Sequence, residues 1–237
     1  MEKQNKPTVK PKNIHEGHRE RLKKKYLEGG LNILAEHEVV ELLLFYAVKQ
    51  GDVNPLAHRL IKEFGSLHLL LEADAETIAR TCKLTMNTAI LISLALPLAR
   101  RYHKAKWQNK NILSDSHAAC EYASGLFTGE TDEVFYMICL DAKNQVIFTV
   151  ELARGTIDKA PIYPRVITDK ALKHNAASVI LTHNHPSGHE MPSLSDLAAT
   201  KSIAETLEKI EVKVVDHIIV GKSAMSLAEK KIMSFAQ

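Results

Sequence analysis

A chain of 237 residues is long enough for one large or two modest domains, and its 45% hydrophobic and 25% charged residues exclude a wholly disordered protein. The net charge of +3 is unevenly distributed, because residues 1–26 contain nine Lys/Arg against three acidic residues, which leaves the rest of the chain slightly acidic. The longest apolar stretches, 39–48 and 89–99, are too short to cross a bilayer, and the charged N-terminus lacks a secretory signal, so we expect a cytoplasmic protein.

The first half of the chain is predicted to be helical. Residues 1–13 contain two prolines and four lysines with almost nothing to bury, which predicts a disordered basic tail. Over residues 14–102 apolar side chains recur at helical spacing between glycine and proline breaks, which predicts an all-α bundle of five or six short helices. The next stretch is basic with little apolar content apart from Trp107, so residues 103–113 are predicted to be a linker.

Residues 114–237 are predicted to form a mixed α/β domain. Ser114 and Asp115 suit the start of a helix that ends near Gly129. Two runs rich in β-branched and aromatic residues, 134–140 and 146–152, predict a β-hairpin. The remaining elements are predicted in the order helix 165–175, strand 177–182, helix 193–210, strand 212–220, and a last strand and helix within 225–235.

Two histidines separated by one residue stand where a predicted strand ends. Side chains alternate along an extended chain, so the imidazoles of His183 and His185 face one side while Asn184 faces the other. A proline and a glycine follow and predict a turn that returns Asp196, in the first turn of the next helix, as a third ligand. Two imidazoles and one carboxylate leave a position open for water, which is the pattern of a catalytic zinc site.

Such a site also needs a carboxylate that accepts a proton, and two glutamates are candidates. Glu133 immediately precedes the strand 134–140, where rigid neighbours would fix it as a general base. Glu151 is the alternative. Ser193 lies three residues before Asp196, so its hydroxyl is placed to reach the same cavity and to donate to the oxyanion of a tetrahedral intermediate.

Simpler interpretations stay open for each motif. A chain with 12 histidines can contain one HxH pair by chance, and Ser193 with Asp196 is also a good helix capping box. His189 is more simply an exposed loop histidine, and His217 either supports the site through a ring hydrogen bond or is a satisfied buried histidine. The three cysteines have no CxxC spacing, which disfavours a thiolate zinc site. The conjunction of the histidines, the serine and the aspartate therefore carries the metal hypothesis.

The spacing of these residues matches a known motif. His183-x-His185, seven residues, Ser193, two residues and Asp196 form the JAMM pattern, and here the sequence resembles the JAB/MPN-domain metalloproteases. Over residues 114–237 it resembles the bacterial RadC branch of that family, and the helical half is similar to the RadC N-terminal region. The stretches outside the motif that carry the RadC likeness are Asn175-Ala176-Ala177, Asp216 to Gly221, Gly17 to Leu22 and Glu41-Leu42-Leu43.

The resemblance implies both a fold and an activity. The fold is an α/β (α+β) JAB/MPN domain of cytidine-deaminase-like type at the C-terminus, preceded by an all-α helical bundle. The site is one Zn²⁺ on His183, His185 and Asp196 with Ser193 beside it. The family's base opens the strand after the domain's first helix, which favours Glu133, while Glu151 matches a recurrent RadC position. The implied activity is zinc-dependent hydrolysis of peptide or isopeptide bonds in a peptide or protein substrate, with metal-bound water as the nucleophile.

A second hypothesis is a DNA-associated repair or recombination accessory protein. Under this hypothesis the basic N-terminus contacts nucleic acid and the metal site is structural or vestigial.

The sequence departs from the RadC pattern at two positions. Residues 83–87 have no glycine where RadC proteins commonly carry a Gly-x-Gly helix-hairpin-helix turn, which puts backbone capture of DNA phosphate in doubt. Val166 stands in place of the glutamate of a frequent Pro-Arg-Glu, and we attach no consequence to that change.

Overall fold

The computed structural model describes residues 17–108, 110–113, 116–155 and 164–233, and the chain divides into two compact units, residues 1–95 and 96–237. The predicted basic tail 1–13 and the predicted helix caps Ser114 and Asp115 lie outside the described residues. Within the part of the chain that is described, no helix is long and apolar enough to cross a membrane.

The first unit is helical, as its apolar periodicity predicts. Its helices are α1 (His18–Gly29), α2 (Glu36–Ala47), α3 (Asn54–Phe64), α4 (Leu67–Glu72), α5 (Ala75–Cys82) and α6 (Met86–Ser93), with a short 3-10 helix, Leu31–Ile33, after α1. One side of each helix contributes to a common core, in which Leu44, Leu60 and Ile92 are fully buried. Short amphipathic helices of this kind are stable because they pack together.

A buried carboxylate joins α1 to α2. Glu41 is fully buried on α2, and its oxygens accept hydrogen bonds from Nε2 of His18 at 2.6 Å and from the side-chain amide of Asn54. Arg19, the next residue on α1, donates to the carbonyls of Val48 at 2.8 Å and Gly51 at 3.0 Å, just beyond the end of α2. Both residues of α1 are therefore used in the packing of this unit.

The second unit is a mixed five-stranded sheet with helices on both faces. Its elements are α7 (Ala95–Trp107), α8 (Ser116–Leu126), β1 (Val134–Leu140), β2 (Val146–Arg154), α9 (Pro164–Lys173), β3 (Ser178–Asn184), α10 (Leu194–Glu208), β4 (Lys213–Val220) and β5 (Ala224–Ser226). The strand order is β2-β1-β3-β4-β5, in which β3 and β4 are parallel and the other neighbours are antiparallel. The predicted hairpin is confirmed as β1 and β2.

The central strands are buried on both faces of the sheet. One face packs against α9 and α10, and the other packs against α8 and the end of α7. Every residue of β1 and of β3 is buried, which agrees with the apolar run that makes up β1 and with the apolar residues Val179, Ile180 and Leu181 in the middle of β3. His183 and Asn184, the two polar residues at the carboxyl end of β3, are both hydrogen-bonded, and they lead to the candidate site.

Two sequence predictions for this unit are wrong. Residues 103–107, predicted as part of a linker, belong to α7, where a ring nitrogen of His103 lies 3.1 Å from the carbonyl oxygen of Tyr122 and Trp107 is buried beside it. The basic composition was misleading because lysines and arginines can occupy the exposed side of a helix whose other side is packed. A final helix is also not found in the described residues, in which turns follow β5 as far as Lys231.

Candidate metal centre

The carboxyl end of β3 brings two histidines to one point. His183 is fully buried and His185 is half-buried, and their Nε2 atoms are 2.8 Å apart. Phe135 on β1 pairs with His183, and the two rings stack with their centroids 5.6 Å apart. Glu133 directly precedes β1, two positions before Phe135, and the alternation of side chains along an extended chain places it on the same side as Phe135.

Asp196 approaches the histidines from the first turn of α10. Its carboxylate accepts from the Ser193 backbone N–H at 2.7 Å while the Asp196 N–H donates to the Ser193 hydroxyl oxygen at 3.1 Å, which together form the capping box of the helix. The Ser193 hydroxyl also donates to the Asp196 carboxylate at 2.7 Å. Its two oxygens lie 3.4 Å from Nε2 of His183 and Nε2 of His185. Burial alone would raise the pKa of the Asp196 carboxyl, but the interactions with His183 and Ser193 outweigh it and hold the pKa well below its ordinary value. One side chain thus caps the helix and faces both histidines.

Glu133 completes the group. One potential ligand atom from each of Glu133, His183, His185 and Asp196 lies within 4.8 Å of all the others. Glu133 is half-buried, and it directly precedes β1, at the same end of the sheet as the carboxyl end of β3. The structure therefore brings together the three predicted ligands and the first of the two predicted bases.

Glu151 lies elsewhere. On β2 it pairs with Tyr136, whose side chain belongs to the opposite face of the sheet, packed against α8. Its carboxylate accepts two hydrogen bonds from Arg154, at 3.0 Å from Nε and 2.8 Å from Nη2. The carboxylate is thus held by a two-point contact with arginine, away from the histidines.

A hydrogen-bond chain behind the site assigns the tautomer of each histidine. The hydroxyl of Thr200 donates to the backbone carbonyl of Asp196 at 2.5 Å, so its oxygen accepts from Nδ1 of His217 at 2.6 Å. The bare Nε2 of His217 then accepts from Nδ1 of His183 at 2.8 Å. Burial holds the pKa of His217 well below its ordinary value, which keeps that ring neutral.

His185 is oriented in the same way by the loop. Its Nδ1 lies 2.7 Å from the backbone carbonyl oxygen of His189, which can only accept, so Nδ1 carries the proton. Both His183 and His185 therefore present a bare Nε2 to the same point, beside the Asp196 carboxylate. Two nitrogen lone pairs and a carboxylate repel one another unless a proton or a metal ion lies between them. Two imidazole nitrogens and a carboxylate, with the imidazoles oriented by hydrogen bonds to His217 and to the His189 carbonyl, fit a divalent metal ion.

The loop between the histidines and α10 is anchored to the turn after β4. The His185 N–H donates to the Val220 carbonyl at 2.8 Å, and the Lys222 N–H donates to the Gly188 carbonyl at 3.0 Å. A Cβ atom at Gly221 would lie 2.6 Å from the Gly188 carbonyl oxygen, so this close approach requires glycine. A cleft of about 350 Å³ opens beside His185, and its lining includes Phe127, Glu130, Asn184 and Pro186.

Replacing Thr200 with valine is expected to weaken the binding of a divalent metal ion at this group by about 10- to 100-fold, because His217 loses the acceptor that sets its tautomer and so that of His183. The measurement is zinc affinity by competition with a chromophoric chelator. Thr206→Val is the matched control, since Thr206 also donates to a carbonyl four residues earlier on α10, at 2.8 Å, but on the exposed side. Equal affinities in the two variants would contradict the assigned chain.

Other residues considered from the sequence are also placed. The ring of His189 is exposed, and only its backbone carbonyl contacts His185, whereas His217 is fully buried in the hydrogen-bond chain. Thr200 was missed from the sequence, although its position four residues after Asp196 on one helix was an available signal. In the turn between α5 and α6, Lys83 has the positive φ of 51° that favours glycine, and Thr85 caps α6 by accepting from the Thr88 N–H.

The fold and the site together define the class of protein. A mixed sheet between helices, with His-x-His at the end of a central strand and an aspartate on the following helix, is a JAB-type domain. The family model of the RadC-like JAB domain matches residues 113–232. The chain is 35% identical to UPF0758 protein SPO0054 of Ruegeria pomeroyi over 206 residues, which cover 87% of this chain and 92% of that relative. The chain therefore belongs to the RadC family, and the resemblance inferred from the motif is confirmed.

Proposed function

We propose that the protein is a zinc-dependent hydrolase of peptide or isopeptide bonds. The observation that carries the proposal is the convergence of Glu133, His183, His185 and Asp196 within 4.8 Å. One Zn²⁺ per chain would be held by the two Nε2 atoms and the Asp196 carboxylate, a donor set used by catalytic zinc sites. When bound, the ion acts as a Lewis acid that lowers the pKa of water and polarises a carbonyl group.

The residues of the chain supply the remaining steps. Glu133 accepts the proton of the attacking water and later delivers it to the leaving nitrogen of the amide. The hydroxyl of Ser193, which is bonded to Asp196 at 2.7 Å, turns towards the carbonyl oxygen of the substrate as negative charge develops there. The cleft of about 350 Å³ beside His185 is the space next to these residues in which a substrate would lie.

Membership of a family with JAB domains supports this proposal, and the mixed sheet with helices on both faces supports the cytidine-deaminase-like fold. The alternative, a DNA-associated accessory protein, depends on the basic segment 1–26. Most of that segment lies outside the described residues, and in the described part His18 and Arg19 contact Glu41 and the end of α2. Hydrolysis is therefore the function that the geometry supports better.

The test uses the full chain, purified and loaded with Zn²⁺, with an unbiased peptide library whose cleavage is read by mass spectrometry. We expect cleavage that stops on chelation, returns when Zn²⁺ is restored, and is absent from Asp196→Asn. That variant keeps the shape of the capping side chain but removes the charge that faces the metal. Undiminished cleavage by Asp196→Asn, or purified protein that takes up no stoichiometric zinc, would overturn the proposal.

A further inference from the structure

Asn184, the residue between the two histidines, makes two specific contacts on the other face of β3. It is 5% exposed, and a buried amide requires partners for both of its polar groups. Its Oδ1 accepts from the Val134 N–H at 2.7 Å, and its Nδ2 donates to the Asp132 carbonyl at 2.9 Å. These are the backbone groups on either side of Glu133.

The strand ladder does not reach this segment from the β3 side. The pairing of β1 with β3 begins at Phe135, so the backbone before Phe135 has no ladder partner on β3. On the β2 side, the Gly155 N–H donates to the Glu133 carbonyl at 2.8 Å. Val134 is fully buried, and its N–H would be left unsatisfied without the Asn184 oxygen. Three hydrogen bonds, two of them from one side chain, thus fix the backbone around Glu133.

We propose that Asn184 is a positioning residue for Glu133. This inference rests on the proposed function, in which Glu133 is the base. A catalytic group has to be held within about 0.5 Å of its productive position, and a misplacement of about 1 Å can cost about 10²-fold in rate. The segment at the end of β3 that carries both histidines therefore also holds the base, through Asn184, the residue between them, whose side chain faces away from the metal site.

The chemistry of the contact explains why asparagine suits this position. The two backbone groups are a donor and an acceptor, and a carboxamide offers an acceptor and a donor at the end of one short side chain. Aspartate of the same size can accept from Val134, but its second oxygen would face the Asp132 carbonyl oxygen. Alanine leaves both groups without partners. The graded series Asn184, Asn184→Asp and Asn184→Ala therefore removes the contact in two steps.

The first measurements do not depend on activity. In zinc-loaded Asn184→Ala, we expect the Val134 amide to exchange with solvent about tenfold faster, because it loses its hydrogen bond to the Asn184 oxygen. In a crystal structure of this variant, Glu133 should be displaced or disordered while His183, His185 and Asp196 superpose on the wild type. Thr182→Val is the matched control, because Thr182 lies on the same face of β3, is fully buried, and has a hydroxyl without a hydrogen-bond partner in the described structure.

The second measurement uses a peptide that the wild type cleaves. We expect kcat to fall about 10²-fold in Asn184→Ala with KM and zinc content unchanged, less in Asn184→Asp, and not in Thr182→Val. In a Glu133→Gln background, Asn184→Ala should cause no further loss, since the group it positions is gone. An unmoved Glu133 with unchanged Val134 exchange, or the same fold-loss in both backgrounds, would overturn the inference. If the wild type cleaves no peptide, the proposed function fails, while exchange and structure still decide the positioning.

Discussion

Glu133→Gln is expected to retain Zn²⁺ as the wild type does and to lose about 10²- to 10⁴-fold in kcat, the range that a positioned general base contributes. Glutamine has nearly the same size as glutamate, and Glu133 is half-buried, so the substitution leaves the fold and the three other side chains of the group in place. The amide cannot accept a proton from the attacking water. The measurements are kcat for a cleaved peptide and zinc content by elemental analysis of the same preparation.

Glu151→Gln is the matched control for this experiment. It makes the same chemical change in a carboxylate of the same hairpin, but Glu151 contacts Arg154 and lies on the face of the sheet that packs against α8. We expect its kcat to stay close to that of the wild type. If Glu151→Gln were the inactive variant and Glu133→Gln the active one, the assignment of the base would be reversed.

The choice between these two glutamates shows what the sequence alone could not determine. Both lie at or next to strands of one hairpin, and the face that each side chain occupies depends on the register of pairing. That register shifts between Phe135 and Tyr136, where an irregularity interrupts the regular alternation of the pairs. The His-x-His pair was easier to interpret, since two side chains two positions apart on one strand share a face whatever the strand pairs with.

The sequence also predicted local elements better than their long-range partners. The hairpin and the long helix before Ile210 follow from patterns within a few residues. In contrast, His217 contacts His183 across 34 positions of sequence, a neighbourhood created by the parallel pairing of β3 with β4. The packed side of α7 was missed for the same reason, because the surface that buries Trp107 is provided by residues far along the chain.

Zinc is expected to stabilise the wild-type protein against unfolding, and His185→Ala is expected to abolish that gain. A ligand that binds the folded state alone adds about 4 kcal/mol to the free energy of unfolding at a free concentration of about 1,000 times its Kd. The increase in the free energy of unfolding requires that Zn²⁺ bind between the Nε2 atoms of His183 and His185 and the Asp196 carboxylate, so it is lost when one imidazole is removed. The measurement is urea unfolding of each protein with Zn²⁺ and with a chelator.

His189→Ala is the control from the same loop. The His189 ring is exposed, and His185 is oriented by the His189 backbone carbonyl, which alanine also has. Zn²⁺ should therefore raise the free energy of unfolding of His189→Ala as much as that of the wild type. Without zinc, His185→Ala should be about as stable as the wild type, because the half-buried imidazole contributes one of the lone pairs that repel each other in the metal-free site. A full zinc-dependent gain in His185→Ala would show that the ion binds elsewhere.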